Sequence, residues 1–128
     1  MTTNKLNAVG YCRYSKNEKG VTYTIEQQKE AIEEYATENN YQILKVFTDK
    51  NISGRSFERK GLKEMLNYID CNSNKINVLI VSDVTRLFVK LNGLWWAFKR
   101  VLSENKIILI SLVRDMSKYI QKQAERHF

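Results

Sequence analysis

The sequence has no proline, only five glycines, two cysteines and a single histidine in 128 residues. With so few breakers, no stretch reads as a flexible or polyproline linker, and one domain is expected. Cys12 and Cys71 cannot build a disulfide framework and form no C-x-x-C pair. The lone His127 leaves no His/Cys zinc constellation, so no metal site is expected. No apolar run is long enough to cross a bilayer. The opening MTTNKLNAVG lacks the charged flank and long apolar core of a secretory signal. A reduced, cytoplasmic setting is the expectation, without a membrane partner.

What is present points to a basic globular domain. Hydrophobic residues make up 43% of the chain, an ordinary fraction for a domain that buries a core. Lysine and arginine number 21 against 14 acidic residues, giving a formal net charge of +7. The excess is uneven: residues 1–60 are net +2 and residues 61–128 net +5. A polyanionic partner fits that balance, and the second half is where it would sit.

Apolar runs alternate with amphipathic stretches. Leu6–Cys12 reads as a first strand, Tyr41–Phe47 as a second, Ile76–Val81 as a third and Ile107–Leu112 as a fourth. The last two are apolar almost throughout, as expected of strands buried on both faces of a helix-covered parallel sheet. Thr24–Asn39 reads as a helix with Ile25, Gln28, Ile32, Tyr35 and Ala36 on one face. Thr24 and Gln27 stand at capping-box spacing at its start. Glu58–Ile69 reads as a second helix with Leu62, Met65, Leu66 and Ile69 as its stripe. Leu91–Leu102 reads as a third, with Leu94, Trp95, Phe98 and Leu102 inward, and Asp115–Phe128 as a short, polar, helical tail. The alternation predicts an α/β fold: a mostly parallel central sheet of four to five strands flanked by helices, with a short C-terminal helix.

In open parallel sheets, reacting groups collect just past the carboxyl ends of the strands. There the sequence places Arg13 and Ser15, then Asp49, Ser53, Gly54 and Arg59, then Thr85, Arg86 and Lys90. Gln28 lies near the start of the first helix. A hydroxyl among guanidinium groups suits phosphoryl transfer, because arginines hold phosphate oxygens bidentately and stabilise charge on a pentacovalent transition state. A receiver-type domain needs an acidic cluster after the first strand, and Gly10–Ser15 has none. A glycine-rich phosphate loop is also absent, which counts against a flavodoxin-like or nucleotide-binding reading.

These residues resemble the catalytic domain of the serine recombinases, the resolvase/invertase and large serine integrase group. The matching parts are Tyr-x-Arg-x-Ser at 11–15, Thr-Ile-Glu-x-Gln at 24–28, Asp-x3-Ser-Gly-x4-Arg-x2-Leu at 49–62 and Arg-Leu at 86–87. The resemblance implies that Ser15 is the nucleophile, attacking a DNA phosphodiester to form a 5′-phosphoserine. It implies that Arg13 contacts the scissile phosphate, that Arg59 completes the phosphate clamp and that Arg86 is the general acid. Gln28 would stand at the site's edge, Lys90 would add a DNA contact, and Asp49, Ser53 and Gly54 would form the loop carrying Arg59. No metal and no cofactor are implied. The implied partners are DNA and further recombinase subunits, either this chain in a dimer or tetramer or a full-length recombinase.

The chain departs from the family pattern in three ways. Thr85 and Val89 stand where the family has an aspartate and a second arginine, and the neighbouring Lys90 is a poor substitute for a guanidinium fork. Little follows the fourth strand, so residues 1–128 read as a single catalytic domain without most of the long oligomerisation helix. No DNA-binding domain is visible in the sequence. A second reading is therefore a catalytically impaired regulator that binds DNA or a full-length recombinase. Some residues also have plainer readings. Arg86 is at pairing distance in sequence from Asp83, Trp95 and Trp96 read as core and rim packing, and both cysteines read as inert.

Overall fold

The computed structural model describes residues 5–14, 23–50, 59–82 and 93–112. Among the described residues seven elements alternate. They are β1 (Leu6–Tyr14), α1 (Ile25–Glu38), β2 (Tyr41–Lys50), α2 (Lys60–Cys71), β3 (Val78–Val81), α3 (Gly93–Glu104) and β4 (Ile108–Ser111). The strands form one four-stranded sheet in the order β2-β1-β3-β4, and every pairing is parallel. The expected Asp115–Phe128 tail and the inward side chain of Leu94 lie outside the described residues.

The chain leaves β1 in one direction to reach β2, then returns across β1 to β3. Right-handed crossovers place helices of opposite travel on opposite faces, and the packing follows. On one face, Ala8 and Cys12 of β1 and Val78 and Ile80 of β3 meet Ala31, Ile32 and Ala36 of α1. On the other, Val9, Tyr11, Leu79 and Val81 meet Leu62, Met65 and Ile69 of α2 and Phe98 and Val101 of α3. β3 is buried along its whole length, as its apolar run predicts. β4 differs from the expectation: among the described residues it is the outermost strand, and Ile108 is 60% exposed. An apolar run cannot tell an edge from a centre, because it does not specify how many neighbours the strand has.

The Thr24–Gln27 capping box forms as read. Gln27 N–H donates to Thr24 Oγ1 at 3.1 Å, and Thr24 N–H donates to Gln27 Oε1 at 2.9 Å. In β2, the register with β1 slips between Ala8 and Val9, so that Leu44 is an extra residue. The slip reverses the inward parity of β2. Before it, Tyr41 and Ile43 face α1; after it, Phe47 faces α2. Asp49, paired beside Arg13, therefore arrives on the α2 face as well.

The C-terminus of α3 closes in a Schellman arrangement. Ile107 N–H donates to Leu102 O at 2.9 Å and Lys106 N–H to Ser103 O at 3.2 Å. Lys106 stands at φ 55°, a conformation that glycine adopts without penalty. Lys106→Gly should therefore raise stability by on the order of 1 kcal/mol, read as a melting temperature a few degrees higher.

Cys12 is fully buried, and burial pushes its thiol up to about 12, whereas Cys71 is exposed. The thiolate is the reactive form. A disulfide reagent at pH 8 should titrate one thiol in the folded protein and two in denaturant. Two fast thiols in the folded state would contradict the packing of Cys12.

Candidate active site

A parallel sheet brings the carboxyl ends of its strands, and the N-termini of the helices that follow, to one edge. Here that edge holds Tyr11, Arg13, Asp49, Arg59, Gln28 and Ser82. They form two groups joined through β1.

The first group is built on the carboxylate of Asp49, which is buried. Its Oδ1 accepts from Gly61 N–H at 2.8 Å, and its Oδ2 accepts from Leu62 N–H at 3.0 Å. These are orphan donors in the first turn of α2. The residue at the N-cap, Arg59, makes no side-chain cap, so β2 supplies the capping anion from another element. The positive end of the helix dipole favours a carboxylate at that place. The approach demands a glycine: a Cβ on Gly61 would lie 2.3 Å from Thr48 O.

Tyr11 O–H donates to Asp49 Oδ2 at 2.7 Å. The same oxygen accepts from Arg59 Nη2 at 2.7 Å and from Nε at 3.3 Å. A guanidinium can only donate and a carboxylate can only accept, so the direction of the Tyr11 proton is set. Burial holds that phenol above its ordinary range; the Arg59 charge opposes the shift and the hydrogen bond to Asp49 adds to it. Tyr11 therefore stays a neutral hydroxyl between two buried charges. Arg59 is fully buried, with its guanidinium carbon 5.3 Å from the Tyr11 ring centroid.

The second group is built on Gln28, whose amide bridges the crevice between β1 and β3. Its Nε2 donates to Arg13 O at 2.9 Å and to Tyr23 O at 2.8 Å. Its Oε1 accepts from Arg13 N–H and from Ser82 Oγ, each at 3.2 Å. All four hydrogen-bonding positions of the amide are used. The side chain thus continues β1 as a neighbouring strand would. It holds the Arg13 backbone at the point where the outgoing chains of β1 and β3 diverge, the usual ligand crevice of such sheets.

Of the residues read from the sequence, Arg13, Gln28, Asp49 and Arg59 come together at this edge. Arg13 and Tyr11, two residues apart, project from the same face of β1, toward α2. Two assignments change in detail. Asp49 belongs to β2, which runs on to Lys50, because the parallel pairing with β1 continues through Arg13↔Asp49 and Tyr14↔Lys50. Arg59 is a buried helix-start residue held by Tyr11. Ser15, Ser53, Gly54, Asp83, Thr85, Arg86, Val89 and Lys90 lie outside the described residues. The sequence reading missed the Tyr11 hydroxyl as the link, Ser82 as a partner of Gln28 and Gly61 as the close-approach residue. A glycine two residues beyond Arg59, in the first turn of a helix, was the one visible signal. Among the described residues, no group of three or more His, Cys, Asp or Glu side chains gathers at metal-binding distance, and no helix is long and apolar enough to cross a membrane.

The Asp49 network should dominate local stability. Tyr11→Phe leaves a buried guanidinium and carboxylate each short of a hydrogen bond, and should cost on the order of 1–3 kcal/mol. Gly61→Ala forces α2 away from β2 and should cost at least as much. Denaturant midpoints measure both, and a neutral Gly61→Ala would contradict the contact.

The Resolvase, N terminal domain family matches residues 8–127 of this chain. Among solved structures, the N-terminal catalytic domain of TP901-1 integrase is similar at 21% identity with a TM-score of 0.68, covering 95% of this chain and 99% of its own. The C-terminal catalytic domain of ISC1926 TnpA, an IS607-like serine recombinase, is similar at 20% identity and a TM-score of 0.68, over 93% of this chain and 78% of that one. A resolvase family site-specific recombinase from Streptococcus pneumoniae aligns at 20% identity and a TM-score of 0.63, over 95% and 90%. With its parallel sheet, its helix faces and its arginine-bearing edge, the chain belongs to the resolvase N-terminal domain family, the catalytic domain of the serine recombinases.

Proposed function

We propose that this domain cuts and rejoins DNA strands through Ser15. The Ser15 oxygen attacks a backbone phosphorus and loses its proton. The bond from phosphorus to the 3′-oxygen breaks, and that oxygen leaves as a hydroxyl carrying a proton delivered by way of Arg86. The product is a 5′-phosphoserine, and the reverse attack by a 3′-hydroxyl reseals the strand. One ester replaces another, so the bond energy is retained between the two steps.

The observation that carries this reading is the convergence of Arg13 and Arg59 at one sheet edge, with Arg59 oriented by Tyr11 and Asp49. Ser15 immediately follows β1, one residue beyond its last member, Tyr14. A guanidinium held before the reaction, as that of Arg59 is, stabilises developing phosphorane charge without reorganising. Gln28 acts as a positioning residue for the Arg13 backbone. DNA and further recombinase subunits are the partners in this reading.

Thr85 and Val89 support a second reading, in which the domain binds DNA or a partner recombinase without cutting. A nicked suicide duplex separates the two. The active reading expects a covalent protein–DNA adduct that Ser15→Ala abolishes and Arg13→Ala lowers by on the order of 100-fold. No adduct from the native sequence, with one appearing in Thr85→Asp/Val89→Arg, would establish the silent reading.

A further inference from the structure

Trp96 does not pack as its neighbour does. Trp95 stacks on Phe98, with ring centroids 6.1 Å apart and planes 18° apart, while Trp96 is 58% exposed. Phe98, Val101 and Leu102 form the buried stripe of α3, and 3.6 residues per turn places Trp96 on the opposite side. Lys99 holds its ammonium 5.2 Å from the Trp96 ring centroid and 5.8 Å from that of Trp95. Trp96 is thus an outward indole with a cation held beside its ring.

Its position is informative. Trp96 is in the first turn of α3, so it stands at the sheet edge that holds Arg59 at the start of α2. α2 and α3 cover the same sheet face and are tied by Arg100 and Asn105 to Asp70, at 3.9 and 3.0 Å. Lys60 and Lys63, both exposed, occupy the first turn of α2. Neither helix has an acidic residue in its first turn; Glu64 opens the second turn of α2, next to Lys63, while Asp70 and Glu104 lie at the far ends of their helices. Cations at a helix N-terminus oppose the dipole, so Lys60 and Lys63 gain nothing from the helix end itself. The α1 face is the reverse, lined by Glu30, Glu33, Glu34 and Glu38.

We propose that Lys60, Lys63, Trp96 and Lys99 form a rim that grips duplex DNA flanking the cleaved phosphate, and that the acidic α1 face turns away from it. This rests on the reading that DNA is the substrate. The lysines neutralise phosphates and the indole lies against deoxyribose, which fixes the duplex over the α2–α3 side without reading its sequence.

The test is anisotropy of a labelled duplex with the full chain across a salt series, beside the adduct assay. Lys60→Gln/Lys63→Gln/Lys99→Gln should weaken binding on the order of tenfold at 50 mM salt and flatten the salt slope by nearly one per lysine. Lys99→Glu should weaken it more than Lys99→Gln. Trp96→Ala should weaken it several-fold with the slope retained. Glu30→Gln/Glu33→Gln should not weaken it. All these side chains are exposed, and circular dichroism confirms folding. If native chain binds and these variants bind equally well, the rim is overturned while the DNA reading stands. If native chain does not bind duplex at any salt, both fall. If Trp96→Ala instead changes sedimentation but not DNA binding, the face belongs to a second copy and the rim is overturned.

Discussion

The carboxylate of Asp49 is the interaction on which the rest of the edge depends. It caps a helix that has no cap of its own, and through Tyr11 it joins that helix to the central strand. Three elements far apart in sequence thereby share one buried anion. The anion also offsets the charge of Arg59, which a fully buried guanidinium requires. Structure and chemistry are not separable here, because the group that completes α2 is the group that orients an arginine.

Gln28 has the equivalent part on the other side of β1. Its saturated amide holds the Arg13 backbone against α1 and β3. The two arginines are thus held differently, Arg59 through its guanidinium and Arg13 through its main chain. In the proposed reaction that division has a purpose. One guanidinium is preset inside the protein, while the other hangs from a strand end whose backbone is held.

The sheet edge of this resolvase N-terminal domain carries arginines at Arg13 and Arg59, and the sequence has no phosphate-binding glycine loop. A nucleotide site wraps a small ligand in backbone amides. In the proposed reaction the site meets a polymer whose charge extends well beyond the reacting phosphate, and the proposed cationic rim on the helices would suit that shape.

Much of the fold was legible in the sequence. Alternating strand and helix patterns predicted the parallel sheet, the apolar run of β3 announced a strand buried on both faces, and Thr24 with Gln27 marked the start of α1. Arg13, Gln28, Asp49 and Arg59 were legible as a group expected at one end of the sheet, and the structure brings them together there. Other features depend on spatial partners, which periodicity does not encode. Strict alternation along β2 would have put Asp49 on the face of Tyr41 and Ile43, and only the extra residue at Leu44 turns it toward α2. The outermost position of β4 among the described strands and the outward turn of Trp96 were likewise settled by which neighbours the elements acquired. The sequence by itself determined which elements form and which residues carry charge to the edge. The tertiary structure decided which of those residues touch, because a one-residue slip in register moves a side chain from one face of a sheet to the other.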